Sequence, residues 1–186
     1  MAGFWASLFF ITVAEMGDKT QLVALSFATK YKAWKVIAGV FLATLVVHLL
    51  SVVIGQQTSA FIPMYYLKII VGASFIAFGL WTLKGDKLEE EDKKVSRFGP
   101  LLTVAVAFFL AELGDKTQLA TISMAAQYKS FIGVWLGSTL GMVIADGLAI
   151  IVGIVVGKKL PERIIKYVSA AIFIGFGVYT LLEALV

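Results

Sequence analysis

Long apolar runs separated by short polar segments are the main pattern of this chain. Six of the runs reach about 20 residues or more, the length that a helix needs to cross the hydrocarbon core of a bilayer. We place them at residues 3–29, 36–56, 66–84, 99–126, 131–156 and 163–184. The pattern therefore predicts an all-α integral membrane protein with six transmembrane helices.

The first and fourth runs are longer than a simple span requires. At about 1.5 Å per residue, each would be about 40 Å long, whereas the hydrocarbon core is about 30 Å thick. Each run also contains a glycine inside a polar motif, Gly17 in the first and Gly114 in the fourth. We therefore expect these helices to tilt, kink or break, and the glycines favour a local break.

The two halves of the chain repeat each other. The segment "EMGDKTQL" at 15–22 returns as "ELGDKTQL" at 112–119, and "FIAFGLWTL" at 75–83 returns as "FIGFGVYTL" at 173–181. Matches over most of the chain indicate an internal duplication. The predicted units are a first three-helix repeat at residues 1–84, a charged linker at 85–98 and a second three-helix repeat at 99–186.

Three helices per repeat is an odd number, so the second repeat should enter the membrane inverted. The chain has 16 lysine and arginine residues, of which Lys19 and Lys116 lie in the motifs. All others except Lys68 and Lys129 fall on one predicted side, which the positive-inside rule assigns to the cytoplasm. We expect a multi-pass protein of the cell membrane with a cytoplasmic linker and both termini outside. Inverted repeats around a polar midplane are typical of secondary transporters, although channels can share them.

Composition supports a membrane protein and excludes several other classes. Hydrophobic residues make up 60% of the chain and the mean hydropathy is +0.92, whereas soluble domains are closer to half apolar. The net charge of +4 arises from scattered basic residues, which gives no sign of nucleic-acid binding. The lack of cysteine excludes disulfides and thiolate metal sites. The N-terminus lacks a basic segment and a clear cleavage site, so we expect the first run to remain as a helix.

Each polar motif brings three charges into a predicted span. Glu15 and Asp18 are spaced i, i+3 and would share a helix face, while Lys19 at i+4 could pair with Glu15. The second motif repeats this arrangement at Glu112, Asp115 and Lys116. An ionised group at the bilayer centre costs from about 2.5 kcal/mol upward. These six groups should therefore face one another, a cation or water.

The charge of the two motifs points to a divalent cation. Four carboxylates and two lysines leave a net charge of −2 when all are ionised, which one divalent cation or two protons would neutralise. The candidate metal ligands are Glu15, Asp18, Glu112 and Asp115. Lys19 and Lys116 would balance charge. We infer a site that alternates between one divalent ion and about two protons.

The available donors narrow the choice of ion. Carboxylate, amide and hydroxyl oxygens suit Mg²⁺, Ca²⁺ and Mn²⁺, and a chain with one histidine and no cysteine is poorly suited to zinc or copper. Supporting oxygen ligands are predicted at Gln21, Gln118, Thr20, Thr117, Ser26 and Ser123. His48 and Asp146 align between the repeats at mid-span, where they could form a proton relay or outer ligands. A single interhelix hydrogen bond is the alternative.

Both motifs carry a family resemblance. Residues 15–20 and 112–117 fit the pattern E-x-G-D-[KR]-[TS] twice, and the chain resembles the family of small membrane cation transporters defined by this doubled motif. That family includes Golgi manganese/calcium transporters and bacterial manganese exporters. The resemblance implies exchange of Mn²⁺ or Ca²⁺ for H⁺, with the motif acids as ligands.

We therefore expect a secondary active transporter that exports Mn²⁺, or alternatively Ca²⁺, from the cytoplasm in exchange for protons. It would not be an enzyme, would need no cofactor, and would interact with the bilayer and the transported ions. Small-residue steps at Gly133, Gly137 and Gly141 favour close helix packing, and they leave a homodimer open. The alternatives are a divalent-cation channel, a Na⁺-coupled exchanger, and a structural membrane protein whose charges only pair with each other.

Overall fold

The computed structural model describes residues 1–84, 99–156 and 162–185. Within these stretches the chain forms eight helices and no strand, which confirms the all-α class. The helices are α1 (Ala2–Glu15), α2 (Lys19–Ala28), α3 (Ala33–Phe61), α4 (Met64–Lys84), α5 (Pro100–Glu112), α6 (Lys116–Tyr128), α7 (Phe131–Val156) and α8 (Glu162–Leu185). The predicted linker at 85–98 lies outside the described residues.

The first and fourth predicted spans are each divided into two helices. Gly17 separates α1 from α2 with a φ of 79°, and Gly114 separates α5 from α6 with a φ of 81°. A right-handed helix cannot continue through a positive φ, and glycine is the residue that adopts this conformation without a steric cost. The expected break is therefore present at both glycines. The other four predicted spans each coincide with one helix.

Helices from each predicted repeat pack mainly against helices from the other. α1 and α2 lie along α7, α5 and α6 lie along α3, and α4 lies along α8. The two long helices α3 and α7 also contact each other. This arrangement surrounds the two helix breaks with protein on several sides.

Glycines set the close approach of α7 to the first helix pair. A Cβ atom at Gly137 would lie 2.4 Å from the carbonyl oxygen of Phe4, and Gly153 faces the side chain of Leu25. Residues later in α7 therefore face residues later in α1–α2, so these helices run parallel. The small-residue steps predicted on this helix do serve close packing.

The same relationship joins α3 to the second helix pair. Gly39 faces Val104 of α5, and Gly55 faces the carbonyl oxygen of Ile122 in α6, where a Cβ atom would approach to 2.3 Å. α3 therefore runs parallel to α5–α6.

α4 and α8 pack against each other in antiparallel orientation. Gly72 faces the carbonyl oxygen of Gly177, and Gly79 faces the carbonyl oxygen of Ala170, in both cases with a Cβ distance of 2.9 Å. Since the contact position moves forward on one helix and backward on the other, the two helices are antiparallel. Phe75 packs edge-on against Phe10 of α1, with ring centroids 5.5 Å apart, and ties this pair to the rest of the bundle.

The outer surface of the two long helices is apolar. Exposed side chains on α3 and α7 include Phe41, Leu42, Val46, Leu50, Ile132, Leu136, Leu140 and Leu148. Among the described residues, the helical segments Ala33–Phe61 and Phe131–Gly153 are long and apolar enough to cross a membrane by length and composition alone. Several shorter apolar helices accompany them.

Candidate cation site

The helix breaks place the motif residues differently from the sequence prediction. Glu15 is the last residue of α1, Asp18 lies in the break and Lys19 begins α2. The expectation that Glu15 and Asp18 share one continuous helix face is therefore wrong, because the left-handed Gly17 redirects the chain between them. In the second motif, Glu112 likewise ends α5 and Lys116 begins α6.

A glutamine one turn into the following helix closes each break. The backbone N–H of Gly17 donates to Gln21 Oε1 at 2.8 Å, and that of Gly114 donates to Gln118 Oε1 at 2.7 Å. Gln21 also donates through Nε2 to the carbonyl oxygen of Ala145 in α7, at 2.8 Å. The two glutamines thus stabilise the interrupted backbone, and their predicted function as ligands stays a prediction.

A threonine hydroxyl holds one oxygen of each glutamate. Thr20 donates to Glu15 Oε1, and Thr117 donates to Glu112 Oε2 at 2.7 Å. Among the described residues, the other oxygen of each carboxylate, Oε2 of Glu15 and Oε1 of Glu112, has no hydrogen-bond partner although it is buried. One equivalent acceptor oxygen is therefore left over at each helix break.

The four motif carboxylates are all buried. Glu15 and Glu112 are fully buried, and Asp18 and Asp115 expose at most 5% of their surface. Glu15 lies within electrostatic range of the other three motif acids and also of Asp146. The fold therefore brings acids from both motifs within electrostatic range of one another. Mutual repulsion of these charges in a low-dielectric interior would favour binding of cations or protons.

An ion pair joins the two motifs. Lys116 Nζ lies 2.7 Å from Asp18 Oδ2, and both side chains are buried. The sequence prediction placed each motif lysine beside the glutamate of its own motif, and it missed this pairing between the motifs. Only the three-dimensional arrangement of the two breaks could show it. The side chain of Lys19 lies outside the part of the chain that the structure describes.

The arrangement does not form a finished metal-coordination sphere. Among the described side chains, no three Asp, Glu or His residues are grouped closely enough to hold one ion together. The donor chemistry nevertheless fits a hard or borderline divalent ion, since carboxylate and hydroxyl oxygens surround both breaks. Cation binding by these residues would require side-chain movements, beginning with the Lys116–Asp18 pair. Their assignment as ligands stays a prediction.

The predicted serine ligands lie apart from the motif carboxylates. Ser26 and Ser123 are only partly buried, about two turns beyond the helix breaks. Ser123 Oγ donates to the carbonyl oxygen of Leu119 in its own helix, at 3.0 Å. Within the described chain, no hydrogen bond connects either serine side chain to a motif residue. Among the predicted oxygens, the two threonines and two glutamines are the ones in contact with the motifs.

His48 and Asp146 are both buried, as expected for mid-span positions on α3 and α7. Asp146 exposes 1% of its surface, and its charge acts on Glu15 and Glu112. In the described part of the chain, neither oxygen of Asp146 and neither ring nitrogen of His48 has a hydrogen-bond partner. The alternative of a simple interhelix hydrogen bond is therefore wrong for both residues in this arrangement.

Buried acids from two broken helices, inside a helical bundle with an apolar surface, are typical of ion-transporting membrane proteins. The comparison with known families gives the particular class. The chain belongs to the family described as "Divalent cation/proton antiporter GDT1", whose sequence model matches residues 3–90 and 100–186. Its function class is therefore divalent cation/proton transport, which confirms the transporter class predicted from the sequence.

Relatives cover nearly the whole chain. A protein of Vibrio cholerae named "Putative manganese exporter" is 39% identical over 166 residues, covering 88% of this chain and 82% of the relative. "GDT1-like protein sll0615" of Synechocystis is 30% identical over 199 residues and covers 96% of both chains. "GDT1-like protein 5" of Arabidopsis thaliana is 30% identical over 220 residues. No solved structure was found to match the chain.

Proposed function

We propose that this protein exports Mn²⁺ from the cytoplasm across the cell membrane in exchange for protons, with Ca²⁺ as the second candidate substrate. Glu15, Asp18, Glu112 and Asp115 bind the ion. Family membership supports divalent cation and proton exchange, and the name of the Vibrio cholerae relative supports manganese and the outward direction.

The unpartnered oxygens of Glu15 and Glu112 are the observation that carries the proposal. Both are buried acceptors without a donor in the described chain, one at each helix break. A buried carboxylate oxygen without a partner is costly, so another group should satisfy it in part of the transport cycle. A divalent cation bridging the two motifs would satisfy both oxygens, and so would protons on both acids.

Charge balance couples the two ions. The four motif acids and two motif lysines carry −2 in total when all are ionised. One divalent cation makes the group neutral, and two protons have the same effect. A neutral site can move through a low-dielectric interior in either state, whereas the charged, empty site cannot. We expect about two protons to be exchanged for each divalent ion.

Alternating access would use the inverted relationship of the two repeats. We propose six membrane crossings, with α1–α2 and α5–α6 each forming one interrupted crossing, and both termini outside. The parallel packing of α7 on α1–α2, the parallel packing of α3 on α5–α6, and the antiparallel α4–α8 pair support this topology. Rocking of one repeat against the other would expose the shared site to each side in turn.

Transport by the purified protein in proteoliposomes tests the proposal. Vesicles loaded with Mn²⁺ and a pH-sensitive dye should release the metal and acidify inside, and an imposed pH gradient should drive Mn²⁺ against its own gradient. Metal flux without proton movement would indicate a channel and overturn the proposal. Mn²⁺ transport that is driven by an imposed Na⁺ gradient and not by a pH gradient would also contradict proton coupling. Parallel assays with Ca²⁺ rank the two substrates.

A further inference from the structure

His48 is an unusual buried side chain outside the motifs. It is fully buried, yet neither ring nitrogen has a hydrogen-bond partner among the described residues. A neutral imidazole carries one N–H donor and one acceptor nitrogen, and leaving either buried without a partner destabilises the folded protein. Such a group in a folded protein calls for a ligand or a functional explanation.

The register of α3 on α6 places His48 beside the second helix break. Gly55 lies seven residues after His48, on the same face of α3. Gly55 faces the carbonyl oxygen of Ile122. Because α3 and α6 run parallel, moving back two turns on α3, from Gly55 to His48, corresponds to moving back two turns on α6. This leads from Ile122 to the first turn of α6, which starts at Lys116. His48 therefore lies at the level of the second motif.

The other half of the chain provides a direct check of this register. Asp146 occupies the position equivalent to His48, and its neighbour Ala145 accepts a hydrogen bond from Gln21 of the first motif at 2.8 Å. The charge of Asp146 also acts on the motif acids Glu15 and Glu112. A residue at this position of the α7 helix thus lies next to the first motif, and His48 occupies the equivalent position of α3 in the other repeat.

We propose that His48 is a nitrogen ligand of the transported ion and gives the site its preference for Mn²⁺ over Ca²⁺ and Mg²⁺. This inference rests on the proposed function, since it concerns the same site. Mn²⁺ prefers oxygen donors, but as a transition metal it also accepts an imidazole nitrogen, whereas Ca²⁺ and Mg²⁺ bind mainly to oxygen. Asp146 provides only oxygen at the equivalent position, so His48 is the side chain that would distinguish Mn²⁺ from the alkaline-earth ions.

Electron paramagnetic resonance of bound Mn²⁺ tests this ligand in the unaltered chain. The sequence contains one histidine, so with any purification tag removed, an imidazole nitrogen coupled to Mn²⁺ can come only from His48. Echo-envelope modulation at saturating Mn²⁺ should show this nitrogen coupling. Bound Mn²⁺ without imidazole coupling would overturn the inference and leave the proposed function intact. Failure of the wild-type protein to bind or transport Mn²⁺ would overturn the proposed function itself.

Competition transport provides the second measurement. In His48→Gln, an amide replaces the imidazole, so the half-saturating concentration of Mn²⁺ should rise about tenfold relative to that of Ca²⁺, which equals about 1.4 kcal/mol. Thr180→Val is the matched control, because Thr180 is also buried but donates to the carbonyl oxygen of Phe176 within α8. Its selectivity should equal that of the wild type. An unchanged Mn²⁺/Ca²⁺ ratio in folded His48→Gln would contradict the inference, and the resonance experiment decides if that variant does not fold.

Discussion

Lys116 and Asp18 form a buried ion pair between the two sequence repeats, with Nζ and Oδ2 separated by 2.7 Å. Lys116 begins α6 at the second break, while Asp18 lies in the first. The lysine thus places a positive charge against one of the proposed metal ligands. In the proposed cycle, a divalent cation competes with this ammonium group for Asp18, so metal binding and the contact between the repeats are linked.

Removing both partners of this pair should destabilise the protein by less than the two single removals added together. Lys116→Gln or Asp18→Asn alone removes the opposite charge 2.7 Å from the remaining buried one, at a cost of about 3–5 kcal/mol. The double variant leaves neither charge, so its loss should be smaller than the sum of the two single losses. Thermal unfolding in detergent without metal measures all three variants. Additive losses would show that the pair contributes little to stability.

Glu15→Gln should strongly reduce transport while leaving the protein folded. The amide keeps an oxygen that can accept the hydrogen bond from Thr20, but it loses the charge that the proposed site needs. We expect Mn²⁺ flux in proteoliposomes to fall by at least about tenfold, equal to about 1.4 kcal/mol of lost stabilisation. Glu183→Gln is the control, because that partly exposed carboxylate pairs with Lys68 away from the motifs. Normal transport by folded Glu15→Gln would contradict the assignment of Glu15 as a ligand.

The backbone at Gly114 should tolerate asparagine better than alanine. Its φ of 81° is strained for residues with a Cβ atom, but the space around it is open, so the penalty comes from the backbone. We expect Gly114→Ala to lose about 1–2 kcal/mol of stability, and Gly114→Asn to lose less. Gly175→Ala, also in open space but within α8, is the matched control and should be neutral or slightly stabilising. Equal effects of alanine at both positions would contradict a specific requirement for glycine at the break.

Sequence patterns predicted the composition of the site better than its geometry. The doubled motif brought Glu15 and Glu112 into one proposed site, and the structure buries both within electrostatic range of each other. The glycines likewise indicated where the long spans break, because glycine is the residue that favours a positive φ. Both inferences rest on local rules that hold wherever the segment packs.

The contacts between the motifs could not be predicted from the sequence. Spacing along a continuous helix suggested a pair between Lys116 and Glu112, whereas the structure joins Lys116 to Asp18 of the other repeat. That contact depends on how two breaks approach each other in space, which residue spacing within one motif does not specify. The same limit explains Ser123, whose sequence equivalence to Ser26 gave no information about its distance from the acids.

Gly137→Ala should separate α1 from α7 and disturb the site from a distance. The added Cβ atom would lie 2.4 Å from the carbonyl oxygen of Phe4, which is backbone and cannot rotate away, so overpacking should cost about 1–3 kcal/mol. Because α7 also provides Ala145 as the acceptor for Gln21, a shift of this helix should weaken transport as well as stability. Gly147→Ala on the same helix meets open space and is the control. Thermal unfolding and Mn²⁺ flux measured on both variants check the prediction, and equal stability of the two would show that α1 and α7 tolerate a wider separation.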